Sequence, residues 1–123
     1  LLEMVNRRCK PTKWNQGGYD GFDVSAGDNT NEISIDFFQV TRGASHPLNL
    51  KYFVGVVQLF ITAGFDVCGC KVYFVIPEGQ KTKILKVTPY GTLFYERFDW
   101  VKGEEKDKIC FVTLKKTTSV PSP

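Results

Sequence analysis

The sequence predicts an α/β domain: a mixed β-sheet with a central crossover helix and a C-terminal antiparallel meander. Three observations predict it. Residues 19–24 and 32–41 alternate apolar and polar side chains and are joined by a stretch rich in Gly, Asp and Asn. Residues 47–63 change to helical spacing. Residues 71–76 then read as a strand that is apolar on both faces, and so interior. A strand–helix–strand unit following a hairpin requires a right-handed crossover and yields a mixed sheet.

Each element has its own justification. Residues 1–9 are predicted as a short helix, with Leu1, Leu2, Val5 and Cys9 on one face and Pro11 ending it. A turn over 14–18 leads into the first strand, where Phe22 and Val24 share a face opposite Asp23. In the second strand Ile33, Ile35, Phe37, Gln39 and Thr41 line one face, and Ser34, Asp36, Phe38 and Val40 the other. Gln39 is unusual there, because a buried amide must find hydrogen-bond partners. The strand runs into a polar elbow, residues 42–47, which carries the single histidine, His46. Pro47 suits a helix start, with Ser45 or His46 as the candidate cap. The helix is apolar nearly all round except for Lys51, Gly55, Gln58 and Thr62, and Gly64 is its expected stop. Residues 82–87, 92–101 and 108–114 are expected as further strands, with turns at 89–91 and 103–105. The domain spans 1–116, and 117–123 is expected to be a disordered tail.

Composition narrows the function classes. A chain of 123 residues, 42% hydrophobic and 14% aromatic, can bury one core and is unlike a disordered segment. A net charge of +3 attracts phosphate only weakly. The pI of ≈ 8.7 falls short of the value above about 9 expected of a dedicated nucleic-acid module. The longest apolar run, 52–61, is about half of the roughly 20 residues a membrane span needs, so no membrane association is expected. Cys68 and Cys70 stand too close for a structural zinc pair, while Cys9 and Cys110 stand alone. Free thiols are therefore expected, and with them a nuclear or cytoplasmic location rather than secretion. The first residues carry no secretory leader pattern, and the absence of an initial Met suggests a piece of a larger protein.

The stretch Phe37-Phe38-Gln39-Val40-Thr41, the His46-Pro47 elbow, the apolar helix and a strand ending Val75-Ile76-Pro77 resemble retrotransposon hot spot proteins of trypanosomes. The related Crinkler effectors carry a similar Phe-Gln-x-Thr stretch followed by a histidine. The resemblance covers residues 19–77, and less fully the stretch to 101. It implies a restriction-endonuclease-like fold of the PD-(D/E)XK type, set beside a P-loop ATPase region in the parent chain. No G-x-x-x-x-G-K-[ST] motif is present within these 123 residues.

In that nuclease pattern a hairpin carboxylate and a strand carboxylate hold Mg2+ or Mn2+, and a lysine two residues beyond helps to activate water. The resemblance puts Asp23, or Asp20, at the hairpin position, Gln39 at the lysine position and Phe37 where the second carboxylate belongs. Asp36 is expected on the opposite face. Glu3 is then the candidate second metal ligand, Lys51 the candidate replacement amine and His46 a candidate phosphate contact or proton carrier. Simpler roles stand beside these: a buried amide tie for Gln39, helix capping for His46 and turn chemistry for Asp23. Two functions follow as expectations. One is a nuclease-like domain of a nuclear multidomain protein, without catalysis, that binds nucleic acid or protein complexes. The other is an active metal-dependent nuclease cleaving DNA or RNA.

Overall fold

The computed structural model describes residues 19–114 together with the backbone of Arg8 and Cys9. In chain order it contains β1 (Arg8–Cys9), β2 (Gly21–Ala26), β3 (Glu32–Val40), β4 (Ser45–Asn49), α1 (Leu50–Thr62), β5 (Asp66–Pro77), β6 (Lys83–Thr88) and α2 (Leu93–Arg97). A 3-10 turn over Glu105–Lys108 then leads into β7 (Ile109–Leu114). One mixed sheet has the order β1-β2-β3-β5-β7, and β4 and β6 form a second, two-stranded sheet. The α/β class, the mixed sheet and the crossover helix agree with the sequence expectation.

The β2–β3 hairpin forms because both strands alternate. Phe22 and Val24 of β2 and Ile33, Ile35 and Phe37 of β3 are all buried on one face. The turn closes through the Gly27 amide, which donates to the Glu32 carbonyl at 2.7 Å, and Asn31 takes a left-handed φ of 68°. Helix α1 lies on this face, with the Phe53 ring 5.0 Å from Phe37 and Phe60 6.3 Å from Phe22. Asn49 caps its N-terminus by accepting from the Lys51 amide at 3.1 Å. At the other end Gly64, with φ 99°, donates to the Ile61 carbonyl, and the Phe65 amide reaches back to Phe60. The Phe60 and Phe65 rings meet at 5.9 Å, which completes a Schellman stop with its hydrophobic contact.

β3 and β5 run parallel, as a crossover through α1 demands. A register shift beside Ile33 and Ser34 leaves Cys68 unpaired in β5. The bulge changes which residues face the core, from Val67 before it to Val72, Phe74 and Ile76 after it. The outer face of β5 therefore carries Lys71, Tyr73 and Val75.

Four expectations are corrected. Arg8 and Cys9 form a strand paired with Phe22 and Asp23 rather than the end of a helix, and residues 1–7 lie outside the described residues. A short helix has a costly nucleus, and the edge of β2 offers backbone partners instead. Helix α1 begins at Leu50, not at Pro47. Ser45 and His46 belong to β4, whose pairing with β6 accommodates Pro47 at a register irregularity. Residues 92–101 are not a strand. Phe94 and Phe98 meet edge to face at helical spacing, 5.4 Å apart, and Asp99 at φ 60° turns Trp100 back into the core.

The C-terminal half is also not an antiparallel meander. β6 pairs parallel to β4, and β7 parallel to β5. The chain between β6 and β7 passes through α2 and the 3-10 turn and returns to the start side of β5, so β7 runs in the same direction. The expected tail lies outside the described residues.

Candidate functional site

The candidate site lies on the face of the five-stranded sheet turned away from α1. In β2, Asp23 alternates with the buried Phe22 and Val24, so its side chain leaves on the outer face. In β3, Asp36 lies between the buried Ile35 and Phe37 and leaves on the same face. The antiparallel register sets Asp23 directly opposite Asp36, and the parallel register sets Asp36 beside Lys71 of β5. Asp23, Asp36 and Lys71 therefore form one rung across three strands.

The electrostatics follow from that rung. Burial raises the Asp36 carboxyl above its ordinary range, the Lys71 ammonium opposes the shift and the Asp23 carboxylate adds to it. Asp36 and Lys71 also line an open cleft of ≈ 590 Å³, together with Arg97, Asp107, Lys108 and Cys110. Arg97 is already engaged there, donating to Asp66 at 3.2 Å and to the Val67 carbonyl at 3.4 Å.

The next rung along the outer face is aromatic. Phe38 pairs with Gly21 on one side and Tyr73 on the other, and Tyr73 pairs with Cys110. The Phe38 and Tyr73 rings stack at 5.3 Å with an interplanar angle of 15°.

The residues singled out from the sequence do not all meet. Asp23 and Gln39 emerge on opposite faces. Gln39 donates to Asp20 at 3.3 Å and to the Val40 carbonyl at 3.0 Å, while Asp20 also accepts from the Val40 amide at 2.6 Å. That arrangement satisfies the amide and ties the start of β2 to the end of β3. His46 packs edge-on against Phe74, the register partner of Gln39, at 5.0 Å, and its Nδ1 lies against the Pro47 carbonyl. Lys51 is exposed in the first turn of α1, on the other side of the sheet from Asp23. Glu3 lies outside the described residues.

Asp36 and Lys71 are the residues that sequence reasoning passed over. The signal for Asp36 was present: the alternation that sends it away from Phe37 also sends Asp23 away from Phe22. Lys71 had no such signal, because its place beside Asp36 depends on the bulge at Cys68.

Another acidic group comprises Glu32, Asp66 and Cys68, whose ligand atoms all lie within 4.8 Å of one another. Its carboxylates already have partners, Asn29 for Glu32 and Arg97 for Asp66. Cys68, Cys70 and Cys110 are free thiols, and burial pushes the Cys70 thiol far above its ordinary value. Among the described residues no helix is long and apolar enough to cross a membrane. Compared with protein-family models, curated proteins and solved structures, the chain matches none.

Proposed function

We propose that this domain acts on nucleic-acid phosphodiesters at the Asp23–Asp36–Lys71 rung, as a divalent-cation-dependent nuclease. One observation carries the reading: Asp23 and Asp36 are register partners on adjacent strands, and Lys71 is in register with Asp36 on the next. These are the group types that the nuclease pattern needs, brought to one face. The carboxylate oxygens are hard donors and suit Mg2+ or Mn2+. Asp23 and Asp36 also repel each other, and a cation held by both offsets that repulsion.

When bound, such an ion supplies Lewis-acid polarisation of the phosphoryl oxygen and a more acidic water. The chain's own residues hold and orient. Asp23 and Asp36 supply the anionic cradle, and Lys71 is placed to hold a phosphate oxygen or the attacking water beside Asp36. The amine thus comes from β5 instead of from the position two residues beyond the strand carboxylate.

A second reading is favoured by Phe38: counted from Asp36 instead of Phe37, the residue two beyond the strand carboxylate is a phenylalanine and not a lysine. In it the same face binds nucleic acid without cutting it. A parent-chain ATPase region and nuclear protein partners belong to either reading as proposals.

Calorimetric titration with Mn2+ and Mg2+, alongside cleavage of labelled DNA and RNA, tests both. The nuclease reading expects cation binding at micromolar to millimolar concentration. Asp36→Asn should abolish binding and cleavage while the fold, followed by circular dichroism, persists. Cation binding and nucleic-acid binding without cleavage select the second reading. Absence of cation binding removes the nuclease reading.

A further inference from the structure

We propose that the outer face takes single-stranded nucleic acid, with one unpaired base stacked on Tyr73 and the adjoining phosphate at the Asp23–Asp36–Lys71 rung. This deepens the reading above and rests on it.

The aromatic rung offers a stacking surface beside the charged one. Phe38 and Tyr73 are already stacked, and both are only half-buried, so part of the ring surface stays in water. Tyr73 is followed across the sheet by Cys110, a small side chain that lines the cleft with Lys71 and Lys108. A planar base entering the cleft over Cys110 becomes the third member of the stack. Any base has a π-face, so this contact is tolerant of sequence.

The spacing supports the phosphate position. Phe38 lies two residues beyond Asp36, and Tyr73 two beyond Lys71. Two strand residues span about 6.6 Å, close to one nucleotide step in an extended strand. A base on Tyr73 thus leaves its neighbouring phosphate beside the carboxylates and Lys71. Lys108, on the same cleft, adds a second cation for the backbone.

Strandedness follows from the same contact. In a duplex the base faces are covered by neighbouring pairs, whereas an unpaired base is free to stack on a protein ring. Duplex should therefore meet only the charged groups.

The test compares four labelled ligands of equal length by fluorescence anisotropy: single-stranded RNA, single-stranded DNA, a duplex, and an abasic single strand with the same phosphates. One stacked base is worth about 1–3 kcal/mol, so the base-bearing strands should bind about 5- to 150-fold more tightly than the abasic one. Tyr73→Leu should reduce them to the abasic level, with the salt dependence unchanged. Tyr73→Trp gives a second readout, since its indole emission should be quenched by the base-bearing strands alone. Equal affinity for the abasic strand, undiminished affinity in Tyr73→Leu, or no single-strand binding would overturn the proposal. The RNA and DNA arms separate the two sugars. Cation titration without nucleic acid reports on the Asp23–Asp36 site independently, so either idea can fail alone.

Discussion

Asp36 sits between two fully buried residues, Ile35 and Phe37, and that neighbourhood sends its carboxylate to the outer face. Whether it acts as a ligand then depends on what stands opposite, which is Asp23 on one side and Lys71 on the other. Gln39 shows the same dependence in reverse. Its amide is satisfied locally by Asp20 and by the Val40 carbonyl, so its strand position reflects a backbone tie. At this scale Tyr95 and Glu105 offer a test of the buried polar chemistry. The Tyr95 hydroxyl donates to the buried Glu105 carboxylate at 2.8 Å. Burial, and then the hydrogen bond to Glu105, push the Tyr95 phenol up to about 12 from 10.0. The folded state thus holds this proton more tightly than the unfolded chain, so its contribution is present below pH 10 and is lost as pH rises towards 12. Denaturant unfolding between pH 9 and 12 should show a steeper alkaline loss for the native chain than for Tyr95→Phe; parallel curves would contradict the linkage. At neutral pH, Tyr95→Phe should cost about 1–3 kcal/mol, because Glu105 is left buried without its donor.

Helix α1 is the element most fully legible in the amino-acid sequence. Its apolar spacing and its glycine stop were both readable, and the Schellman geometry at Gly64 gives the stop its physical content. Gly64→Ala should cost about 1–2 kcal/mol, since an added Cβ strains the left-handed backbone although the space around it is open. Gly55→Ala, exposed and unobstructed within the same helix, should stabilise by about 0.5–1 kcal/mol. Urea midpoints of the two variants should therefore move in opposite directions. The start of α1 was less legible, because Pro47 serves a strand end as readily as a helix start. Only pairing between β4 and β6 distinguishes the two. Residues 92–101 were ambiguous for a related reason. Their aromatic residues favour a strand, yet Phe94, Phe98 and Trp100 reach the core through a helical turn and the positive φ of Asp99.

Across the whole molecule one aromatic cluster joins sheet and helix. Phe37 lies at its centre, within 5.0–5.7 Å ring to ring of Phe53, Tyr19 and Phe22. Phe37→Ala should cost about 3–5 kcal/mol, a large part of the roughly 5–15 kcal/mol available to a domain. Thermal unfolding should show a much lower midpoint; a near-native midpoint would mean that the cluster does not hold the layers together.

The sequence by itself determined the α/β class, the hairpin, the crossover helix and the buried face of β3. Each of these follows from local periodicity and from residues with restricted backbones, and both act over a few positions. Strand direction in the C-terminal half, the bulge at Cys68 and the neighbours of Asp36 were decided only by the tertiary structure. They depend on backbone pairing between segments far apart in the chain, where a shift of one residue moves a side chain to the other face. For that reason Asp23 was recognisable from its hairpin and the outward face of Asp36 from its alternation, while their meeting with Lys71 emerged only with the register of three strands.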